Sequence, residues 1–411
     1  MNKPVNDSEE FVYQVCHKSF LSLWSYANPR GKNSKELCDI LIVCEPDIII
    51  ISVKEIKLTD SGNIEVDCQR WLRKAIEGSV DQIYGAERWI KSTSHVIQSD
   101  GSQGLTFPSS NVQRIHRVAV ALGGDDKVPI QFGDFGKGFV HVFDRVSFNT
   151  ILRELDTITD FVQYLIDKEK LYDSGKQTLF DGYEEDLLGY YIYNGRSYPQ
   201  EFDVIVVGSN IWDEIIKKPE YKAKREADRD SYIWDRLLEN ISEDVLNNNL
   251  EFGPNLNQSE LALRAMAREP RFTRRILGKF FRDFMNLAAQ RIIESRTLIS
   301  PISNIAYVFL AKPHGEDRQY RVTELGGRCF VVRGLQQNCK TVIGIATEQY
   351  QPGQGSSFDI VYLHQETWTA ENQKQLEFAQ KEFGWFANPQ QTSVHEDEYP
   401  ITGLPENWSL D

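Results

Sequence analysis

Residues 35–54 read Lys35-Glu36-Leu37-Cys38-Asp39-Ile40-Leu41-Ile42-Val43-Cys44-Glu45-Pro46-Asp47-Ile48-Ile49-Ile50-Ile51-Ser52-Val53-Lys54. Two apolar runs, each the length of a buried strand, flank a short polar turn at Cys44-Glu45-Pro46-Asp47. The first run opens on an acid and the second closes on a lysine. Paired as a hairpin, they bring Asp39 and Lys54 to one end of a sheet, with Glu36 just upstream. Acids beside a lysine at a sheet end suit a hard divalent cation and the activation of a water. That chemistry points to phosphodiester cleavage.

Outward from this hairpin, Asp7 or Ser8 is expected to cap a first helix with Glu9 and Glu10 in its first turn. Phe11, Val15, Phe20, Leu21 and Leu23 supply its apolar stripe. A short polar strand is expected near Asn63 to Val66. Trp71, Leu72, Ala75, Ile76, Ile83, Ala86 and Ile90 recur at helical spacing, which predicts a long amphipathic helix from about Cys68 to Ser92. Arg114 to Leu122 and Phe139 to Phe143 read as strands. This order gives the N-terminal third an α/β arrangement around a central mixed sheet. His116 and His141, both in strand-like segments, read as satisfied histidines of the core or an edge. Gly123-Gly124-Asp125-Asp126 is a turn without the lysine and hydroxyl of a phosphate loop.

Helical patterns dominate from Ser147 to about Asp173, and Phe202 to Val207 is a brief apolar strand. Ser231 to Asn247 is an amphipathic helix and Asn248 to Asn257 a polar break. Ser259 to Ala289 reads as helical with a dense basic face. Beyond about Ser300 the pattern turns to strands at 305–310, 329–332, 341–346 and 358–362, with a closing helix from Thr369 to about Phe383. The acidic segment His395-Glu396-Asp397-Glu398 is expected to be loosely held. The expected organisation is an α/β domain over 1–150, a mainly helical region over 151–298, and an α+β domain over 299–411.

The chain has 411 residues, so two or three domains are expected. Hydrophobic residues at 41% and aromatics at 11% supply packed cores and exclude a chain disordered throughout. The net charge of −14 argues against coating of nucleic acid by the whole surface, and still allows a local basic patch to hold phosphates. The six cysteines show no CxxC pair and no zinc-like spacing, and read as buried free thiols in a reducing compartment. The first residues lack an apolar signal core and no apolar run approaches a membrane span. A cytoplasmic protein without a membrane partner is expected.

With these residues in place, the pattern resembles the PD-(D/E)XK nuclease superfamily, which is restriction-endonuclease-like in fold. The resemblance implies a first helix, a strand hairpin and a second helix around a metal site. Asp39 matches the metal-binding acid that opens the second core strand, with Cys38 where the family often has proline. Ser52-Val53-Lys54 falls where the family has its D/E-x-K triplet, so Lys54 matches the lysine and Ser52 departs from the second acid. Glu36, an acid of the first helix, or Glu55 after a shift replaces it, or the site is inactive; Glu55 should face the opposite side of the strand from Lys54. Glu9 and Glu10 resemble the helix glutamate of many members, with Glu10 preferred. Gln82-Ile83-Tyr84 resembles the glutamine and tyrosine that RecB-like branches turn toward the metal site and the nucleic-acid backbone. The stretch from KELCDILIV to DQIYGAERWI is similar to uncharacterised bacterial proteins, which implies a role in restriction or anti-phage defence.

The expected function is Mg²⁺- or Mn²⁺-dependent hydrolysis of DNA phosphodiesters. Asp39, Glu36, Glu10 and the Val53 carbonyl would hold the metal. Lys54 would orient the water or stabilise charge, and Gln82 would position the nucleophile or the backbone. Tyr84 and the basic helix residues Arg271, Arg274, Arg275 and Lys279 are the expected nucleic-acid contacts. Partners are nucleic acid, DNA ahead of RNA, and a second copy or a defence-system protein. The alternatives are a binding or sensor subunit on a decayed nuclease core, which the Ser52 departure favours, and an RNase.

Overall fold

The computed structural model describes residues 6–124, 128, 131–173, 177–199, 201, 203–247, 256–387, 389 and 395–400. The fold is mixed α/β, with a mixed sheet at the N-terminus, helices in the middle and a second sheet near the C-terminus. The chain divides into two compact units, Met1–Lys218 and Pro219–Asp411. That boundary lies inside the helical stretch and not at residue 150 or 298.

Unit 1 opens with α1 (Asp7–Phe20), β1 (Ser25–Ala27), β2 (Ile40–Cys44) and β3 (Asp47–Glu55). Then α2 (Ile64–Leu72) and α3 (Gly78–Ile90) follow, joined through a π-helical turn at Arg73–Glu77. A ribbon of β4 (His95–Ile97) and β5 (Gln103–Thr106) precedes β6 (Arg114–Leu122), β7 (Gly133–Asp134) and β8 (Phe139–Phe143). The main sheet has the order β1-β2-β3-β6-β8-β7. β2 and β3 pair antiparallel from Ile40↔Ile51 to Cys44↔Asp47, which leaves Glu45-Pro46 as the turn. β3, β6 and β8 run parallel. Parallel neighbours need a crossover, and α2–α3 supply it between β3 and β6.

The run Ile48–Ile51 is continuous and not alternating because both sheet faces are covered. α3 packs on one face, and α1 and α4 (Arg145–Glu154) lie on the other. Ile48 and Ile50 share a core with Trp71, Ile76, Ile83 and Ala119. Burial of each such isoleucine contributes about 1.5–3 kcal/mol. His116 and His141 each meet a carboxylate, Asp47 at 2.9 Å and Glu169 at 3.0 Å. Unit 1 continues with α5 (Ile158–Asp173), β9 (Gln177–Phe180), α6 (Glu184–Tyr193), β10 (Val204–Val207) and α7 (Ile211–Lys217). β9 and β10 pair in parallel.

Two local expectations in this unit are corrected. Asn6 caps α1, its Oδ1 accepting from the Ser8 and Glu9 amides, and the buried stripe is Glu9, Val12, Cys16 and Phe20. Asn63 begins no strand; its side chain accepts from the Val66 amide and starts α2. The helical patterns expected over 147–173 are present as α4, capped by Asp144 and Ser147, and α5.

Unit 2 comprises α8 (Pro219–Ala227), α9 (Ser231–Leu246), α10 (Leu256–Ala267), α11 (Arg271–Ala289), β11 (Ser295–Ile299), β12 (Ala306–Lys312), α12 (Arg318–Leu335), β13 (Thr341–Glu348), β14 (Phe358–His364) and α13 (Ala370–Phe383). Its sheet has the order β11-β12-β13-β14, with β12 and β13 parallel. The strand expected at 329–332 lies inside α12, because the parallel pair β12–β13 needs a crossover and this segment provides it. The helical stretch expected over 259–289 is present as α10 and α11, separated where Pro270 precedes α11. Part of the polar break expected over 248–257 lies outside the described residues. The acidic segment is held: Arg275 donates to the backbone carbonyls of Asp397 and Glu398. Among the described residues no helix is long and apolar enough to cross a membrane. All six cysteines are free thiols.

Candidate active site

The hairpin register sets Ile40 opposite Ile51, so Asp39 and Ser52–Lys54 run side by side at one end of the sheet. Asp39 is 4% exposed, and its Oδ2 accepts from the Val53 amide at 2.6 Å. Ser52 is wholly buried on the side of β3 that meets α3, and its hydroxyl donates to Gln82 Oε1 at 2.8 Å. The same hydroxyl is a hydrogen-bond partner of Asp39. It carries one proton and serves one acceptor at a time, so Asp39, Ser52 and Gln82 form a short relay.

Two carboxyls lie together in this corner. Partial burial pushes Glu36 up to about 7, followed by the charges of Asp39 and Glu9 and a side-chain hydrogen bond with Asp39; Lys54 opposes the shift. Burial also raises Asp39, against the Val53 amide, Lys54 and Ser52, which all favour its anion, while Glu9 adds repulsion. Lys54 is the cation whose field reaches both acids, and it forms no direct ion pair among the described residues. Glu36, Asp39, Lys54 and Gln82 therefore lie together with the Val53 backbone.

Glu10 is not part of the group. It points outward and accepts from Gln14 Nε2, whereas Glu9 is buried and its charge acts on both acids. The signal for Glu9 is in the sequence: it shares the i, i+3, i+7 stripe of Val12 and Cys16. Tyr84 is also displaced. Residues two apart on a helix do not share a face, so with Gln82 on the site, Tyr84 is buried in the core and donates to the Gly138 carbonyl at 2.7 Å.

Nor is the basic helix an open phosphate-binding face. Arg271, Arg274 and Arg275 are 1%, 1% and 0% exposed. Asp235 accepts from Arg271 and Arg274, each at 2.6 Å. Burial alone would raise Asp235, but the two guanidinium groups hold it low. Arg275 meets Asp228 at 3.2 Å. Lys279 is half exposed, 3.6 Å from Glu396.

The donor set around Asp39 suits a hard cation by its chemistry, with the crowded carboxyls of Glu36 and Asp39 nearest and Glu9 adding negative field. Among the described residues no group of three or more His, Cys, Asp or Glu side chains is arranged to hold a metal ion. Mg²⁺ needs only one or two carboxylates, with water and substrate oxygens completing its shell. The pair Glu36–Asp39 fits that requirement. No protein-family model, curated protein or solved structure matches this chain.

Proposed function

We propose that unit 1 hydrolyses nucleic-acid phosphodiesters with Mg²⁺ or Mn²⁺, DNA being the first polymer to test. The observation that carries this reading is the convergence of Glu36, Asp39 and Lys54 at one sheet end, tied to α3 through Ser52 and Gln82. The element order supports it: a helix, a strand hairpin, a helical crossover and a parallel strand are what a PD-(D/E)XK core would require. The free, mostly buried thiols suit a reducing cytoplasm.

Glu36 and Asp39 would hold the cation, which would lower the pKa of a bound water and neutralise charge on the phosphate. The Val53 amide fixes one Asp39 oxygen, so the carboxylate is oriented before substrate arrives. Lys54, free of a salt bridge, presents its ammonium to the charge that builds on the non-bridging oxygens. Ser52 stands where the resemblance calls for an acid, and Glu36 replaces that acid from the segment that leads into β2.

The test is cleavage of plasmid, linear duplex, single-stranded DNA and RNA with Mg²⁺ or Mn²⁺. Asp39→Ala and Lys54→Ala are each expected to lower the rate at least about 100-fold while the fold is retained. Cutting that persists unchanged in both variants would overturn the assignment. The second reading, a binding subunit on a decayed core, is favoured by Ser52. It predicts metal-independent nucleic-acid binding and no cutting of any polymer.

A further inference from the structure

The C-terminal ends of the parallel strands β3, β6 and β8 open into a cavity of about 610 Å³. Open α/β sheets hold ligands in the crevice beyond these strand ends. The volume falls within the roughly 300–1,000 Å³ of small-molecule sites. Trp71, Phe132, Phe180 and Tyr183 give the cavity aromatic walls. The Trp71 indole is fixed by donation to the Ile56 carbonyl at 2.7 Å, while Tyr183 is 61% exposed at the mouth.

The charged lining is Glu55, Asp144, Arg145 and Glu184. Glu184 is answered within the protein: both its oxygens accept from Lys168 at 2.6 Å, and one also from the Tyr164 hydroxyl. The other two acids are answered on one oxygen each. Ser8 donates to Glu55 Oε2, and the Ser147 amide and hydroxyl both donate to Asp144 Oδ1. No described residue donates to Glu55 Oε1 or Asp144 Oδ2. Arg145 is exposed at the rim, its guanidinium 4.5 Å from the Phe11 ring centre.

We propose that this cavity binds a nucleobase bearing an exocyclic amino group, with its phosphate toward Arg145. Flat aromatic walls stack any base. Carboxylates are acceptors only, so they select the edge that offers N–H donors. Guanine fits best, because its adjacent ring N–H and amino group offer two donors to Glu55, one for the unanswered Oε1 and one for the second lone pair of Oε2. Arginine at the rim suits a phosphate. Uracil and thymine carry no amino group, and their one ring N–H lies between two carbonyl oxygens that the same acids repel, so they bind more weakly.

The base belongs either to a free nucleotide or to a nucleic-acid strand. Cavity and carboxylate site share two elements: Glu55 follows Lys54 on β3, and Ser8 precedes Glu9 on α1. The inference rests on the cavity and stands whether or not the chain cuts phosphodiesters.

The test is equilibrium binding to the full chain in EDTA, where metal-dependent cleavage does not contribute. The probes are GMP, CMP, UMP and short deoxyoligonucleotides of guanine-containing or all-thymine sequence. GMP is expected to bind about tenfold more tightly than UMP. The double variant Glu55→Gln, Asp144→Asn should erase that preference, and asparagine preserves the helix cap. Tyr183→Ala, at an exposed position, should weaken every nucleotide at least about fivefold. A guanine oligonucleotide that binds more tightly than GMP, with steep salt dependence, assigns the base to a strand; binding no tighter than GMP assigns it to a free nucleotide. Equal affinity for all bases, no binding at millimolar nucleotide, or a preference that survives the double variant would overturn the proposal.

Discussion

A single hydroxyl links the candidate site to its supporting helix. Ser52 Oγ is buried between Asp39 and Gln82, so Ser52→Ala leaves the Gln82 amide oxygen without its partner. Gln82 is only partly buried, so the orphaned acceptor costs about 1 kcal/mol, the lower end of the range for a buried group. The urea midpoint should fall accordingly, and an unchanged midpoint would mean that Gln82 re-pairs with water. Glu185 gives a second prediction at this scale. Burial pushes its pKa up to about 7, with repulsion from Asp144, Glu184 and Asp186, and its Oε2 is buried without a partner. A carboxyl raised in the fold favours folding below its unfolded pKa of about 4.3. That contribution is lost as pH rises through about 7. Glu185→Gln should therefore equal the parent in stability near pH 4 and exceed it by at least about 1 kcal/mol above pH 7. Thermal melts across that range would show it, and a pH-independent difference would refute it.

At the scale of elements, α11 shows what a periodic pattern does not disclose. The spacing of its arginines reads as a solvated basic face, yet their counter-charges, Asp228 and Asp235, come from a segment distant in sequence. The two segments approach closely because residue 278 is glycine; a Cβ there would run into the Asp230 carbonyl. Removing one partner of such a buried network leaves a charge unanswered. Asp235→Ala should cost about 3–5 kcal/mol, while Lys279→Ala, half exposed, should stay within about 0.5 kcal/mol. Comparable denaturation midpoints for the two variants would contradict the burial of the network. The same contrast explains which parts of the fold were legible. The hairpin declares itself by the unbroken apolar runs of β2 and β3, and β6 by Val118–Leu122, while Asp39 and Lys54 flank the hairpin's runs at one end. Residues 329–332 carry β-branched valines but fold as helix, since the demand for a crossover between β12 and β13 overrides local preference. Glu9 was legible in principle from the stripe of α1. The cavity was not, because its lining gathers from β3, β6, α4 and α6, which no local spacing relates.

For the whole molecule, the division at Lys218 concentrates the proposed chemistry in one unit. Every residue of the carboxylate site lies between Glu9 and Gln82, and the cavity lining ends at Glu184. Unit 1 also closes its own core: the face shared by β2, β3, β6, β8 and α3 is buried by residues of that unit alone. A chain of this length buries enough surface to be stable by itself. Residues 1–218 expressed alone should therefore give a dispersed amide NMR spectrum and a single cooperative thermal transition. The fragment should also retain the divalent-metal affinity of the full chain, because no donor is lost. A fragment that folds but loses metal affinity would place an essential donor in residues 219–411. A fragment without cooperative unfolding would mean that the sheet of unit 1 depends on the rest of the chain, and the carboxylate corner would then have to be studied in the intact protein.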